Sequence, residues 1–264
     1  MRILPPVEFL SIVTVEDSSL PNGRTLTAGD HLTIADGGGG DIVTVDWRQN
    51  FRKRSILYSD MNSAADWLNF ATGTGTSNVF TTTGIADGNR LGILNSGTGT
   101  TATGFAGIGS AEVTAAVFGT SVVRLTAIVQ IPTLSTVTET FNVFAGFYDR
   151  RNSLTPVDGV LFNYSNGINS GKWQCECYSN SVSTTADSGV TVTTGWVALE
   201  IEVNAAASSA VFKINGSTVA TISTNIPSGT ARATGIGVQI IKSVGTTARN
   251  LYTDLLAVEM DCSR

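Results

Sequence analysis

Charge is the first thing this sequence is short of. Only 14% of its 264 residues are Asp, Glu, Lys or Arg, against roughly 25% in ordinary soluble domains. A surface built with so little Lys and Glu must be built from Ser, Thr, Asn and Gly. That suits strands and turns and makes poor exposed helices. The charge that is present leans acidic, net −5 with a pI near 4.9. Phosphate backbones are held by concentrated basic surface, so no nucleic-acid partner is expected.

Histidine is nearly missing: His31 is the only one. Ser-His-Asp and Cys-His mechanisms need an imidazole beside the nucleophile, and His31 lies far along the chain from all three cysteines. The odd cysteine count argues against a disulfide framework. Cys175 and Cys177, two apart on a strand, share a face, and with Cys262 they are expected to be small buried or half-buried thiols. Too few ligands accompany them for zinc, so neither a metal nor a cofactor is expected. No apolar run approaches the roughly 20 residues of a membrane helix, and no membrane partner is expected. The opening Met1-Arg2-Ile3-Leu4-Pro5-Pro6 is too short and proline-interrupted for a signal peptide. The expectation is a protein made in the cytoplasm that stays there or leaves the cell inside a particle.

Turns and alternating strands are what the sequence does contain. After a proline-containing arm, Leu32 and Ile34 alternate with Thr33 and Ala35, and Val43 and Val45 with Thr44 and Asp46. Gly37 to Gly40 separate them, which reads as two short strands around a glycine-rich turn. Such a hairpin is marginal alone and needs copies of itself or a docking surface. Trp47 to Arg54 reads as a solvated basic connector. Ser59 to Phe70 has the pattern of one or two helical turns, with Asp60 as N-cap and Trp67 and Leu68 inward. The glycine- and threonine-rich stretches 72–76 and 96–101 read as loops between strands at Asn78–Thr83 and Arg90–Leu94.

Periodicity is clearest from 121 to 264. Strands are expected at 123–131, 141–148, 157–164, 172–178, 196–204, 210–214, 217–222, 235–242 and 251–261. In Trp196–Asn204, Leu199, Ile201 and Val203 face one way and Glu200 and Glu202 the other. Asn215-Gly216 between two strands is a strong signal for a type I′ hairpin. On the last strand, Leu251, Leu255 and Ala257 are expected on one face and Tyr252, Leu256, Val258 and Met260 on the other. A strand apolar on both faces should be covered on both, here by the core and by a neighbouring subunit or the N-terminal part. The fold expected is all-β: an antiparallel β-sandwich or jelly roll over residues 51–264, preceded by an arm and hairpin module over 1–50.

The segment Leu26-Thr-Ala-Gly-Asp-His-Leu-Thr-Ile-Ala-Asp-Gly-Gly-Gly-Gly-Asp-Ile-Val-Thr-Val45 resembles short modules of tailed-bacteriophage fibre and appendage proteins. Gly195–Asn204, Val211–Thr221, Asn225-Ile-Pro227 and Lys242–Arg249 are similar to C-terminal jelly-roll domains of phage virion proteins, which share the concanavalin-like lectin sandwich. The resemblance implies a homotrimeric surface element of the virion, a capsid decoration or head fibre, or alternatively a tail fibre or spike. Its partners would be the major capsid or tail proteins of the same particle. Residues 1–50 would dock, with Arg2, Ile3, Leu4 and Phe9 as contact candidates, and the jelly roll would project outward. Asn163-Tyr-Ser165 and Asn215-Gly-Ser217 would then be chance matches to the glycosylation pattern.

Chemistry on such a scaffold narrows to a few residues. Glycoside hydrolysis needs two carboxylates across a cleft. Asp149, Asp158, Glu176 and Asp254 are available, but no motif pairs them, and an enzyme is not expected. Asp36-Gly-Gly-Gly-Gly-Asp41 lacks the ending of a phosphate loop and reads as a turn. Recognition of a host surface glycan fits better, because sugars are held on an aromatic platform with a few polar groups. Tyr148, Asp149, Arg150, Arg151 and Asn152 at a strand exit, with Tyr164, Trp173 and Tyr178, are the candidates.

Overall fold

The computed structural model describes residues 33–35, 44–46, 54–59, 61, 67–81, 90, 92–112 and 115–261. Contacts divide the chain into two compact units, Met1–Gln49 and Asn50–Arg264. In the first, β1 (Thr33–Ala35) pairs antiparallel with β2 (Thr44–Asp46), with Ile34 opposite Val45. That is the hairpin expected around the glycine run. The docking candidates Arg2, Ile3, Leu4 and Phe9 lie outside the described residues, as do His31, the glycine turn and Cys262.

The second unit is a sandwich of two antiparallel sheets. The elements in chain order are β3 (Arg54–Ser59), β4 (Leu68–Thr72), β5 (Thr76–Thr81), β6 (Ile93–Thr98), β7 (Phe105–Gly109), β8 (Val123–Gln130), β9 (Phe141–Tyr148), β10 (Gly159–Tyr164), β11 (Lys172–Ser179), β12 (Val182–Thr191), β13 (Trp196–Val203), β14 (Ala210–Ile214), β15 (Ser217–Ile222), β16 (Gly235–Lys242) and β17 (Asn250–Asp261). One sheet has seven strands in the order β12-β11-β10-β9-β16-β7-β4. The other has eight, β15-β14-β13-β8-β17-β6-β5, with β3 also pairing β17.

Alternation builds the core between them. From the seven-stranded sheet come Phe141, Val143, Ala145 and Phe147, then Val160, Phe162 and Tyr164, then Trp173, Cys175 and Cys177. From the eight-stranded sheet come Val123, Leu125, Ala127 and Val129, Leu199, Ile201 and Val203, and Phe212. Aromatic edges meet faces at the centre: Phe162 lies 5.2 Å from Phe212 at 88° and 6.1 Å from Trp173 at 78°. Both free cysteines described are buried as expected, and burial pushes the Cys175 thiol up to about 12. Asn215 and Gly216 both take positive φ, 50° and 78°, as the I′ turn requires.

Three expectations are corrected. The last strand is not apolar on both faces. A bulge between Thr253 and Leu255 shifts the alternation by one residue. Leu251 and Thr253 before it, and Leu256 and Val258 after it, are therefore all buried, while Leu255 and Ala257 are only half-buried on the other face. The helical turns expected over 59–70 give way to strand at both ends, in β3 and β4, while the expected N-cap Asp60 and residues 62–66 lie outside the described residues. Trp67 is buried there but Leu68 is half-exposed. Ser96–Thr98, expected as loop, closes β6 against β5 and β17.

The described strands covered on both faces are β7, β9, β10 and β16, where every residue is buried. Their second face carries a separate apolar cluster of Phe105, Phe144, Tyr148, Leu161 and Ile241, with Phe70 and Tyr178 packed at its margin.

Trp173 is thus a core residue. Trp173→Ala is expected to cost about 3–5 kcal/mol of stability, read as a lower denaturation midpoint. A midpoint equal to that of the native chain would contradict this placement.

Candidate functional site

Pairing register assembles the site on the face of the seven-stranded sheet turned away from the core. Cross-strand partners share a face, so three rows can be followed across the strands. The first is Tyr178–Gly159–Tyr148–Gly235. The second is Glu176–Leu161–Gly146–Gly237–Gly109–Leu68. The third is Gln174–Asn163–Phe144–Gln239–Gly107–Phe70. The face therefore has an aromatic and aliphatic floor, polar side chains at defined places, and a band of glycine. Gly107 and Gly109 are required by the strands themselves: a Cβ would stand 2.4 and 2.3 Å from the carbonyl oxygens of Val238 and Ile236.

A hydrogen-bonded chain runs across this face. Asn142 Nδ2 donates to Asn163 Oδ1 at 3.0 Å, and Asn163 Nδ2 donates to Glu176 Oε1 at 3.0 Å. Tyr178 Oη donates to Glu176 Oε2, also at 3.0 Å. Glu176 is 3% exposed, and burial raises its pKa against the lowering effect of Asn163 and Tyr178. Burial, and the charge of Glu176, raise Tyr178 as well. Tyr148 packs edge-on against Phe144 at 6.1 Å, and its hydroxyl lies over Gly237, where a Cβ would come within 2.6 Å.

Of the residues expected to bind glycan, Tyr148 and Tyr178 lie on this face. Tyr164 and Trp173 do not. They point into the core from the other side of their strands, 2% and 1% exposed, with ring centroids 5.8 Å apart. Asp149 closes the turn after β9 by accepting from Val157 N at 2.9 Å. Arg150 is exposed and 4.0 Å from the Asp149 carboxylate. Two other carboxylates are structural. Asp158 accepts from Asn180 N and Arg232 Nη1, and Asp254 pairs with Arg90. Asn163 is buried in the network, which excludes it as a glycosylation site.

Asn142, Asn163, Gln239 and Phe70 are the residues sequence reasoning missed. Strand parity held the signal: Gln174, Glu176 and Tyr178 alternate with Trp173, Cys175 and Cys177, and Asn163 alternates with Phe162 and Tyr164.

A second carboxylate reaches the rim of the same face. Asp187 pairs opposite Gln174, making it a diagonal neighbour of Glu176, for which side-chain roots lie about 7–8 Å apart. It accepts from Gly189 N, Lys172 Nζ and Asn169 Nδ2 at 2.7, 2.9 and 2.8 Å, and these donors hold it down at about 2. Among the described residues no group of three His, Cys, Asp or Glu could hold a metal. The eight-stranded sheet carries a groove of about 150 Å³ on its outside. Arg124 there pairs with Glu202 at 3.0 Å and with Asp261 at 3.3 Å, and no aromatic ring lines the groove.

Residues 89–254 match the family model described as the SO2946-like C-terminal domain. Among solved structures, the protein of unknown function SO2946 from Shewanella oneidensis MR-1 aligns with a TM-score of 0.58 at 14% identity, over 80% of this chain and 89% of that one. An endo-1,3-β-glucanase from Streptomyces sioyaensis aligns at 0.52 and 13%, over 80% and 98%. The carbohydrate recognition domain of Emp47p aligns at 0.51 and 11%, over 80% and 98%. These likenesses establish a concanavalin-like jelly roll. No curated protein is significantly similar in sequence.

Folding favours protonated Glu176, because its folded pKa is raised. Its contribution is full below the ordinary value, about 4.3, and is lost as pH rises through the folded pKa. Glu176→Gln removes that loss, so the variant should gain on the native chain in thermal melts as pH climbs from about 4 towards 8. Parallel pH profiles would contradict a buried, uphill-titrating Glu176.

Proposed function

As the chain belongs to the SO2946-like C-terminal domain family, a jelly roll of lectin and glucanase type, we propose that it is a non-catalytic saccharide-binding module using the outer face of its seven-stranded sheet. The observation that carries this reading is the Asn142–Asn163–Glu176–Tyr178 chain set beside an aromatic floor. Few fixed polar atoms among aromatic rings is what saccharide sites are made of. Binding is favoured over hydrolysis because Asp187 is fully engaged by Lys172, Asn169 and Gly189 and is poorly placed to take a proton.

Titration against linear 1,3-β-glucan oligosaccharides and an array of bacterial surface glycans tests the reading. At least one saccharide should bind, and Tyr178→Ala should weaken it about tenfold, near 1.4 kcal/mol. A native chain that binds none would overturn it. The opposite displacement of Glu176 and Asp187 favours a second reading, polysaccharide cleavage, and release of oligosaccharide from a bound polymer would select it.

We further propose that the module is displayed as a homotrimer on a tailed-phage virion, docked through residues 1–50. The support is the resemblance of Leu26–Val45 to appendage modules, together with a separate compact unit at Met1–Gln49. Removing residues 1–20 should abolish particle binding and leave the sandwich melting unchanged. Retained particle binding would contradict it.

A further inference from the structure

A primary amide offers two N–H donors and a carbonyl acceptor, and burying them unmatched opposes folding. Gln239 is fully buried, yet neither Oε1 nor Nε2 has a hydrogen-bond partner. Tyr148, 3% exposed, has an unpartnered hydroxyl as well. Both stand on the outer face of the seven-stranded sheet, on the adjacent strands β16 and β9. Beside Gln239 in its row stands Gly107, and beyond that Phe70. Since no side chain fits at Gly107, nothing from β7 stands between the amide and the Phe70 ring.

Arg151 crosses the same face to the Phe70 ring. It leaves the end of β9 and reaches past β16 to the far strands. Its guanidinium donates to the carbonyl oxygen of Ser110, just after β7. It also lies 4.5 Å over the Phe70 ring on β4. Its backbone N–H donates to Glu112 Oε1 at 2.9 Å. Arg151 remains partly exposed, so it can swing into water without dismantling the sheet.

We infer that Gln239 and Tyr148 form a polar subsite beside the Arg151–Phe70 clasp, which takes a vicinal diol of a neutral sugar residue when the clasp opens. This rests on the saccharide reading above. The chemistry selects the ligand. Each hydroxyl of a diol both donates and accepts, so the pair can satisfy the amide N–H, the amide carbonyl and the tyrosine hydroxyl together. A carboxylate or sulfate only accepts and would leave Oε1 unmatched. A cation only donates and would leave Nε2 unmatched.

Two variants test it in the titration that reports on the native chain. Gln239→Leu removes the amide at similar volume, and Tyr148→Phe removes only the hydroxyl. The expected result is a thermal midpoint equal to or above that of the native chain for both. Affinity for the neutral 1,3-β-glucan oligosaccharide should fall at least tenfold for Gln239→Leu and several-fold for Tyr148→Phe. Arg151→Ala should raise the association rate. Native binding with full affinity retained in both variants would overturn this subsite and leave the saccharide reading standing. Failure of the native chain to bind would overturn both. If Gln239→Leu does not fold, Tyr148→Phe alone decides.

Discussion

The molecule is organised by the need to cover one sheet twice. Strands β7, β9, β10 and β16 are buried along their whole length, which an antiparallel sheet facing water on one side does not require. The inner cover is the eight-stranded sheet. The outer cover is built from side chains of the seven-stranded sheet itself, Phe105, Phe144, Tyr148, Leu161 and Ile241. Because that second face is apolar, each polar group on it stands in a poor environment and must be matched. Glu176 is matched by Asn163 and Tyr178. Gln239 is not, and an unmatched buried amide costs about 1–3 kcal/mol. That cost is what the proposed sugar diol would relieve.

Strand positions in the C-terminal half were legible because alternation is strict there. Val123–Gln130 and Trp196–Val203 each place an apolar residue on the core side at every second position. The misses have local causes. β4 and β7 were hidden by glycine, threonine and asparagine, although Gly107 and Gly109 are present because no side chain fits where β7 meets β16. β12 was hidden because most of its residues are exposed. The last strand was misjudged because one bulge breaks the period of two.

The site was legible in its rings and in Glu176, but not in its amide side chains. Tyr148 and Tyr178 were found as aromatics near strand ends. Trp173 and Tyr164 satisfied the same criterion and belong to the core, because composition does not tell which face a ring takes. Parity along β10 and β11 separates the two sets once the core face of each strand is known. Asn163 and Gln239 carry no motif, and only strand register brings them together. The bulge in β17 also removes the doubly apolar strand as a reason for assembly. The assembly proposal therefore rests on the N-terminal resemblance and not on an exposed core surface.

A crystal structure of the native chain with a bound neutral oligosaccharide tests the central claim most directly. The account predicts ligand density on the outer face of the seven-stranded sheet, in contact with Tyr178 and Glu176 and extending towards Gln239. Ligand seated instead on the outside of the eight-stranded sheet, or only on loops between sheets, would contradict it.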